Sequence, residues 1–338
     1  MMWTVYPVDA IDALAGSWDS LNHRGPNSPL LTTRFLRPAL RAFAAGKERL
    51  ACMGSAEDPT AMAIVLERKL GVWETFQPSQ APIGFWLMQP GLDLEATALS
   101  LGRSLSPLTT VLGITQQDPG LVPKPSVTNK LSTVNYIDTA RIMVSGQFDS
   151  YWEGRGKNLR QNMRKARNKL EKAGKSLNMV CLTDPREVRA AIENYGRLES
   201  SGWKAQNGTA VNLDNAQGRF YCELLESHCD AGLGRIYQLM FDDQIVAMDL
   251  CVELDGTIVI LKTTYDESAS EYSPAMLMHQ ELFQSLFASG DTKKIEFYGK
   301  VMDWHLRWTE DIRTMYHINC YRWGWLKKLR SHSPAQPE

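Results

Sequence analysis

The apolar positions of this chain change their spacing several times, and the clearest succession lies between Gln244 and Gly299. Gln244–Leu254 is rich in apolar and β-branched residues, Asp255-Gly256 is a hairpin turn signal, and Thr257–Tyr265 reads as the returning strand. Asp266–Ser273 is polar. Ser273-Pro274 marks a helix start, with serine as N-cap and proline at the first helical position. Leu277, Met278, Leu282, Phe283, Leu286 and Phe287 recur at helical spacing up to Gly290, and Lys294–Tyr298 returns to a strand pattern. A helix start facing splayed strands suits a phosphate or pyrophosphate, because unpaired N–H groups and the helix dipole point at the anion.

The flanking sequence reads in the same way. Before this stretch come strands at Leu177–Leu182 and Arg235–Phe241. Between those two strands lies a helix that opens on the capping box Asp184–Glu187, followed by a second helix over Asp214–Ala231. After it come the Trp-rich Trp304–Trp308 and an alternating strand, Ile312–Tyr321. The N-terminal half gives a strand at Trp3–Val8 and helices over Ile11–Leu21 and Thr33–Phe43. Strands at Leu50–Ser55, Ala61–Glu67 and Gly71–Phe76 follow, then a helix at Leu92–Leu105 and strands at Thr109–Ile114 and Lys130–Ile137. A boundary near Asp138–Phe148 divides the chain into 1–140 and 141–330, with a flexible polar tail at 331–338.

Composition narrows the field. The chain has 338 residues, 43% of them hydrophobic, and a net charge of -1, which gives no global attraction to nucleic acid or membrane. Six cysteines without a CxxC pair read as reduced thiols in a cytoplasmic protein. No signal peptide, membrane span, metal-ligand spacing, dinucleotide fingerprint or G-x-S-x-G element is evident. One segment departs from this neutrality. Arg155–Lys175 holds nine basic residues and one acid, with Leu159, Met163, Ala166, Leu170 and Ala173 as an apolar stripe on one helix face. It reads either as a solvated tether or as a patch for a phosphorylated or polyanionic partner.

The element order resembles the GCN5-related N-acetyltransferase (GNAT) fold, more faintly repeated in the N-terminal half. The expected class is α/β (α+β): two tandem GNAT-like domains, each a mixed, mostly antiparallel sheet flanked by helices, the first with a structural, cleft-forming role. Four stretches are similar to the acetyltransferase family associated with cellulose and exopolysaccharide biosynthesis, related to the peptidoglycan aminoacyl transferases. They are Asn158–Arg167; Glu199–Lys204 with Gly208-Thr209; Leu261–Asp266 with Tyr272–Leu277; and Phe297–Gly299 with Asp303–Trp308.

That resemblance implies transfer of an acyl group from acetyl-CoA or another acyl-CoA to a small amine, with a nucleotide-linked or polymeric sugar as a possible acceptor. The donor pyrophosphate is expected at Ser270–Met276, involving Ser270, Glu271, Tyr272, Ser273, Ala275 and Met276, with Thr263 on the adjoining strand. Relatives usually carry glycine where Ala275 stands, and Pro274 offers no N–H. Proton transfer falls to Asp303, His305 or Asp249, the last being a lone carboxylate on an otherwise apolar strand. Lys262 and Tyr265 would orient the substrate or protonate the leaving thiolate, and Trp203, Lys204, Lys262, Arg160 and Trp304 would meet the acceptor. Two alternatives stay open: an aminoacyl-tRNA donor, favoured by the basic helix and the missing glycine, and a non-catalytic binding module.

Overall fold

The computed structural model describes residues 2–201 and 210–330. In chain order, the first part contains β1 (Trp3–Pro7), α1 (Ala15–Arg24), α2 (Thr33–Phe43), β2 (Arg49–Gly54) and β3 (Pro59–Lys69). It continues with β4 (Val72–Thr75), β5 (Trp86–Met88), α3 (Leu94–Leu105), β6 (Val111–Gln117) and β7 (Leu131–Met143). Then follow α4 (Phe148–Glu153), α5 (Lys157–Lys172), β8 (Leu177–Leu182), α6 (Pro185–Ser201), α7 (Ala216–Asp230), β9 (Gly234–Phe241) and β10 (Gln244–Leu254). The chain ends with β11 (Thr257–Tyr265), α8 (Pro274–Ser289), β12 (Lys294–Glu296), α9 (Asp303–Trp308), β13 (Ile312–Tyr321) and α10 (Gly324–Arg330).

These elements form two compact units, one of Met1–Asp138 with Arg313–Glu338 and one of Thr139–Ile312. The expectation that 141–330 is one continuous domain is corrected, because Arg313–Arg330 packs with the N-terminal unit. The sheets share one topology. In the first, β1, β2, β3 and β4 pair antiparallel in sequence, β6 lies parallel to β4, and β13 runs antiparallel to β6. In the second, β8, β9, β10 and β11 pair antiparallel, β12 lies parallel to β11, and the end of β7 runs antiparallel to β12. The closing strand of each sheet comes from outside its own run of elements. The fold is thus mixed α/β, with two GNAT-like units.

In the C-terminal unit, Leu159, Met163, Ala166 and Leu170 of α5 and the apolar face of α8 bury against Tyr237, Leu239, Phe241, Ala247, Cys251, Ile258 and Ile260. The hairpin before the site forms as its sequence dictates: Asp255 and Gly256 have φ of 48° and 81°, the mirror-image turn that fits strand twist. Two features then shape the site. β11 pairs with β12 only through Thr257↔Lys294, Ile258↔Ile295 and Val259↔Glu296, so the strands part beyond Val259. The strand expected to reach Tyr298 stops at Glu296, and Tyr298 takes a left-handed φ of 48°. The second feature is a β-bulge. Lys262 pairs with Leu250 and Ile260 with Cys251, which leaves Leu261 without a partner. The alternation shifts by one residue there, so Thr263 and Tyr265, rather than Lys262, continue the α8-facing side of Ile258 and Ile260.

Candidate active site

The splay and the bulge together open a cavity of about 410 Å³ at the start of α8. Thr263 and Tyr265 form its β11 wall, Ser270 and Ser273 its loop, and Pro274, Ala275, Met276 and His279 its helical wall. Trp304 and Arg307 of α9 close the remaining side. Seven of the residues expected from sequence therefore meet in one place: Thr263, Tyr265, Ser270, Ser273, Ala275, Met276 and Trp304.

The helix start differs from expectation in its mechanism. Ser273 sits at the N-cap position with a left-handed φ of 54°, and its side chain caps nothing. Its carbonyl oxygen instead accepts from Met276 N at 3.1 Å and Leu277 N at 3.0 Å. Pro274 has no N–H. Ala275 is thus the first-turn residue whose N–H stays available to the cavity, where the helix dipole favours an anion. Exposed Arg307 adds a guanidinium at the same cavity and makes no ion pair among the described residues. Glu271 and Tyr272 are not on the cavity wall. Glu271 pairs with Lys169 at 2.5 Å, which holds its carboxyl below the usual range, and the Tyr272 ring packs on Phe241 beneath Lys169.

Asp249 is fully buried and touches two residues of the cavity wall, Thr263 and His279. It lies on β10 opposite Thr263, whose Oγ1 donates to its Oδ1 at 2.5 Å. Its Oδ2 is 3.2 Å from Nε2 of His279, also buried, but out of line for a hydrogen bond. The His279 ring stacks against Phe283 and Trp304, with centroids 5.4 and 5.2 Å away.

The remaining candidates take other positions. His305 is buried against Trp304, and its Nδ1 accepts from Met302 N at 2.9 Å. Burial, with the nearby His279, pushes its pKa down to about 4. It is a neutral group at pH 7 whose basic nitrogen is already engaged, so its geometry suits holding α9 in place. Asp303 is exposed at the first position of α9, and an acid there suits the helix dipole. Lys262 points to the opposite face of the sheet because of the bulge. There its Nζ meets Glu199 at 3.1 Å and Gln217 at 3.3 Å, over the rings of Tyr195 and Tyr221. Arg160 donates to the Arg155 carbonyl at 3.2 Å. Trp203 and Lys204 lie outside the described residues.

Sequence reasoning missed His279 and Arg307, and both had a signal. His279 stands four residues after Ala275, hence on the same helix face, and Arg307 stands three after Trp304. His279 was hidden within the apolar run of α8; Arg307 belonged to a noted motif without a role.

Residues 157–305 match the family described as acetyltransferase (GNAT) domain, and the C-terminal unit thus carries an acyltransferase domain of that type. No curated protein sequence matches the chain. Among solved structures, the chain is similar to FemX, with 8% identity, a TM-score of 0.59 and coverage of 93% of this chain and 98% of that one. It is similar to a conserved protein of unknown function from Bacteroides thetaiotaomicron at 10% identity and TM-score 0.57, covering 95% and 100% of the two chains. It also resembles L-PGS from Bacillus licheniformis at 13% identity and TM-score 0.50, covering 90% and 95%. Identities this low establish the two-unit fold and nothing finer. Among the described residues no helix is long and apolar enough to cross a membrane.

Proposed function

We propose that this protein transfers an acyl group from acyl-CoA, acetyl-CoA first among them, to the amine of an amino sugar or related small molecule. The observation that carries this reading is the cavity between Thr263, Ala275 and Arg307, lying where β11 parts from β12. A strand edge without a partner offers N–H and C=O groups to an extended amide-bearing arm, as an added strand would. The Ala275 N–H and the Arg307 guanidinium supply two complements to a pyrophosphate at the helix start. The absent glycine at 275 is compatible with this, since alanine keeps its N–H. Acyl transfer from a thioester needs the amine within roughly 3–3.5 Å of the carbonyl and a route for its proton, and no enzyme nucleophile. With such a donor the reaction belongs in the cytoplasm, and an amino-sugar acceptor, free, nucleotide-linked or polymeric, would feed a surface polysaccharide or natural product.

A thermal-shift titration with acetyl-CoA, longer acyl-CoAs and free coenzyme A tests the donor. A saturable rise of several degrees with coenzyme A compounds is the expected result, since a ligand bound by the folded state stabilises it. No shift with any of them on folded protein would sink the reading.

One observation favours an aminoacyl-tRNA donor instead. Lys157, Arg164, Lys165 and Lys172 all stand exposed on α5, on the side away from its buried stripe. Under that reading, activity falls steeply with salt and is lost on ribonuclease treatment.

A further inference from the structure

We infer that His279 accepts the proton of the attacking amine and that Asp249 holds it for that task; this rests on the acyl-transfer reading above. Asp249 is 0% exposed and His279 1% exposed. A buried carboxylate is costly unless something compensates it. Among the described residues the compensation consists of the Thr263 hydroxyl on Oδ1 and the His279 ring facing Oδ2. Both ring nitrogens of His279 lack a hydrogen-bond partner, as does Oδ2 of Asp249. Three unsatisfied polar atoms therefore meet at His279, a residue of the cavity wall. An arrangement with no structural use for its own hydrogen bonds is poised for a ligand's. Catalytic hydrogen bonds are often long or misaligned before substrate enters.

The aromatic clamp fixes what the ring can do. Phe283 lies almost parallel to it, at 4° between planes, and Trp304 at 22°. The ring is held flat, with Nε2 toward Asp249. A carboxylate accepts and does not donate, so it selects the tautomer with hydrogen on Nε2 and leaves the lone pair on Nδ1. The step then balances. The neutral amine attacks the acyl carbonyl, and the C–N bond forms as the thioester C–S bond breaks. One amine proton passes to Nδ1, and from there to the departing thiolate, which leaves as a thiol. The imidazolium formed in between is stabilised by Asp249. Tyr265 from β11 and Arg307 from α9 line the same cavity as the ring, and His305 of α9 interacts with it electrostatically.

The test has two arms on the full chain. Nitrogen-15 spectra of labelled histidine, with His279 identified through His279→Gln, read the ring directly and need no substrate. Hydrogen on Nε2 in the wild type, with a resonance that moves in Asp249→Asn, is expected. Hydrogen on Nδ1 overturns the inference, as does a resonance indifferent to Asp249→Asn; the wild-type tautomer decides if that variant does not fold. In the second arm, thiol release from acetyl-CoA is followed with glucosamine as acceptor. His279→Gln should lower kcat by about 10²–10⁴-fold, with Asp249→Asn less affected, while both retain the acetyl-CoA thermal shift. Rates within twofold of wild type overturn the assignment. A wild-type protein that neither binds nor consumes acetyl-CoA sinks the donor reading, and the spectra alone then decide whether Asp249 governs the ring.

Discussion

The two units share a strand order, and they treat one position in it oppositely. In each, the fourth strand meets the fifth through three parallel rungs: Thr257–Val259 on Lys294–Glu296 in one, Val72–Glu74 on Val111–Gly113 in the other. In the C-terminal unit the strands then part and leave the cavity. In the N-terminal unit the corresponding space is occupied by the chain itself. Thr75 Oγ1 meets Thr115 Oγ1 at 2.7 Å and accepts from Thr115 N at 2.9 Å. Gly84 is wedged beside them, so closely that a Cβ would lie 2.5 Å from the Thr115 carbonyl oxygen. The connection after β4 doubles back as β5 along β3, whereas the one after β11 runs through a 3-10 helix, Glu267–Tyr272, into α8. One loop folded into the opening is what separates the two units at this position.

Several substitutions would break or sharpen this contrast. The largest effect is expected in the N-terminal unit, at the buried pair in which Arg313 donates to Asp118 at 2.7 and 2.6 Å. Asp118→Ala removes the carboxylate that the buried Arg313 guanidinium grips with two hydrogen bonds and should cost about 3–5 kcal/mol in urea unfolding, with acetyl-CoA affinity unchanged in the folded fraction. Ala275→Trp fills the C-terminal cavity; calorimetry should show loss of acetyl-CoA binding by more than about tenfold, roughly 1.4 kcal/mol or more, with little change in stability. Binding retained at full strength would remove the cavity from the donor site.

His305 gives a pH signature confined to the C-terminal unit. Its folded pKa, about 4, lies below the ordinary 6.5. The unfolded chain therefore binds more protons between those values, and stability should fall as pH drops from about 6.5 to about 4. The loss is at most about 3 kcal/mol, and His305→Gln should flatten that part of the curve. Gly84→Ala should destabilise the N-terminal unit by about 1–3 kcal/mol through overpacking, again sparing acetyl-CoA binding. The smallest effect is Arg307→Ala, an exposed cation whose removal should weaken acetyl-CoA several-fold. Unfolding measurements should not register it.

What sequence could disclose followed from how local each cause was. The Gln244–Tyr265 hairpin, the buried stripe of α5 and the limits of Thr33–Phe43 depend on neighbours a few residues apart, and their periodicity states them outright. Ser273 and Pro274 mark the helix start correctly, yet the serine works through its carbonyl in a left-handed conformation, which its identity does not announce. The bulge at Leu261 is set by pairing with β10 and has no marker of its own. It turns Lys262, expected at the acceptor, to the face opposite Thr263 and Tyr265. Asp249 stood out as a carboxylate in an apolar strand, but its partner lay thirty residues on, inside a helix whose apolar face explained it away. The membership of β13 in the N-terminal unit is the extreme case, since nothing near Ile312–Tyr321 names a partner two hundred residues earlier.

That last pairing also sets a timetable for synthesis. β6 waits for Ile318–Tyr321, which are made long after it, to hydrogen-bond along its free edge. The C-terminal unit has every strand of its own sheet, beginning with the end of β7, before β13 is made. The usual vectorial order, in which the first domain folds first, is thereby reversed at the finishing step. The unit made earliest is sealed last, and until then its unpaired strand edge is the nascent chain's point of exposure to aggregation and to chaperones.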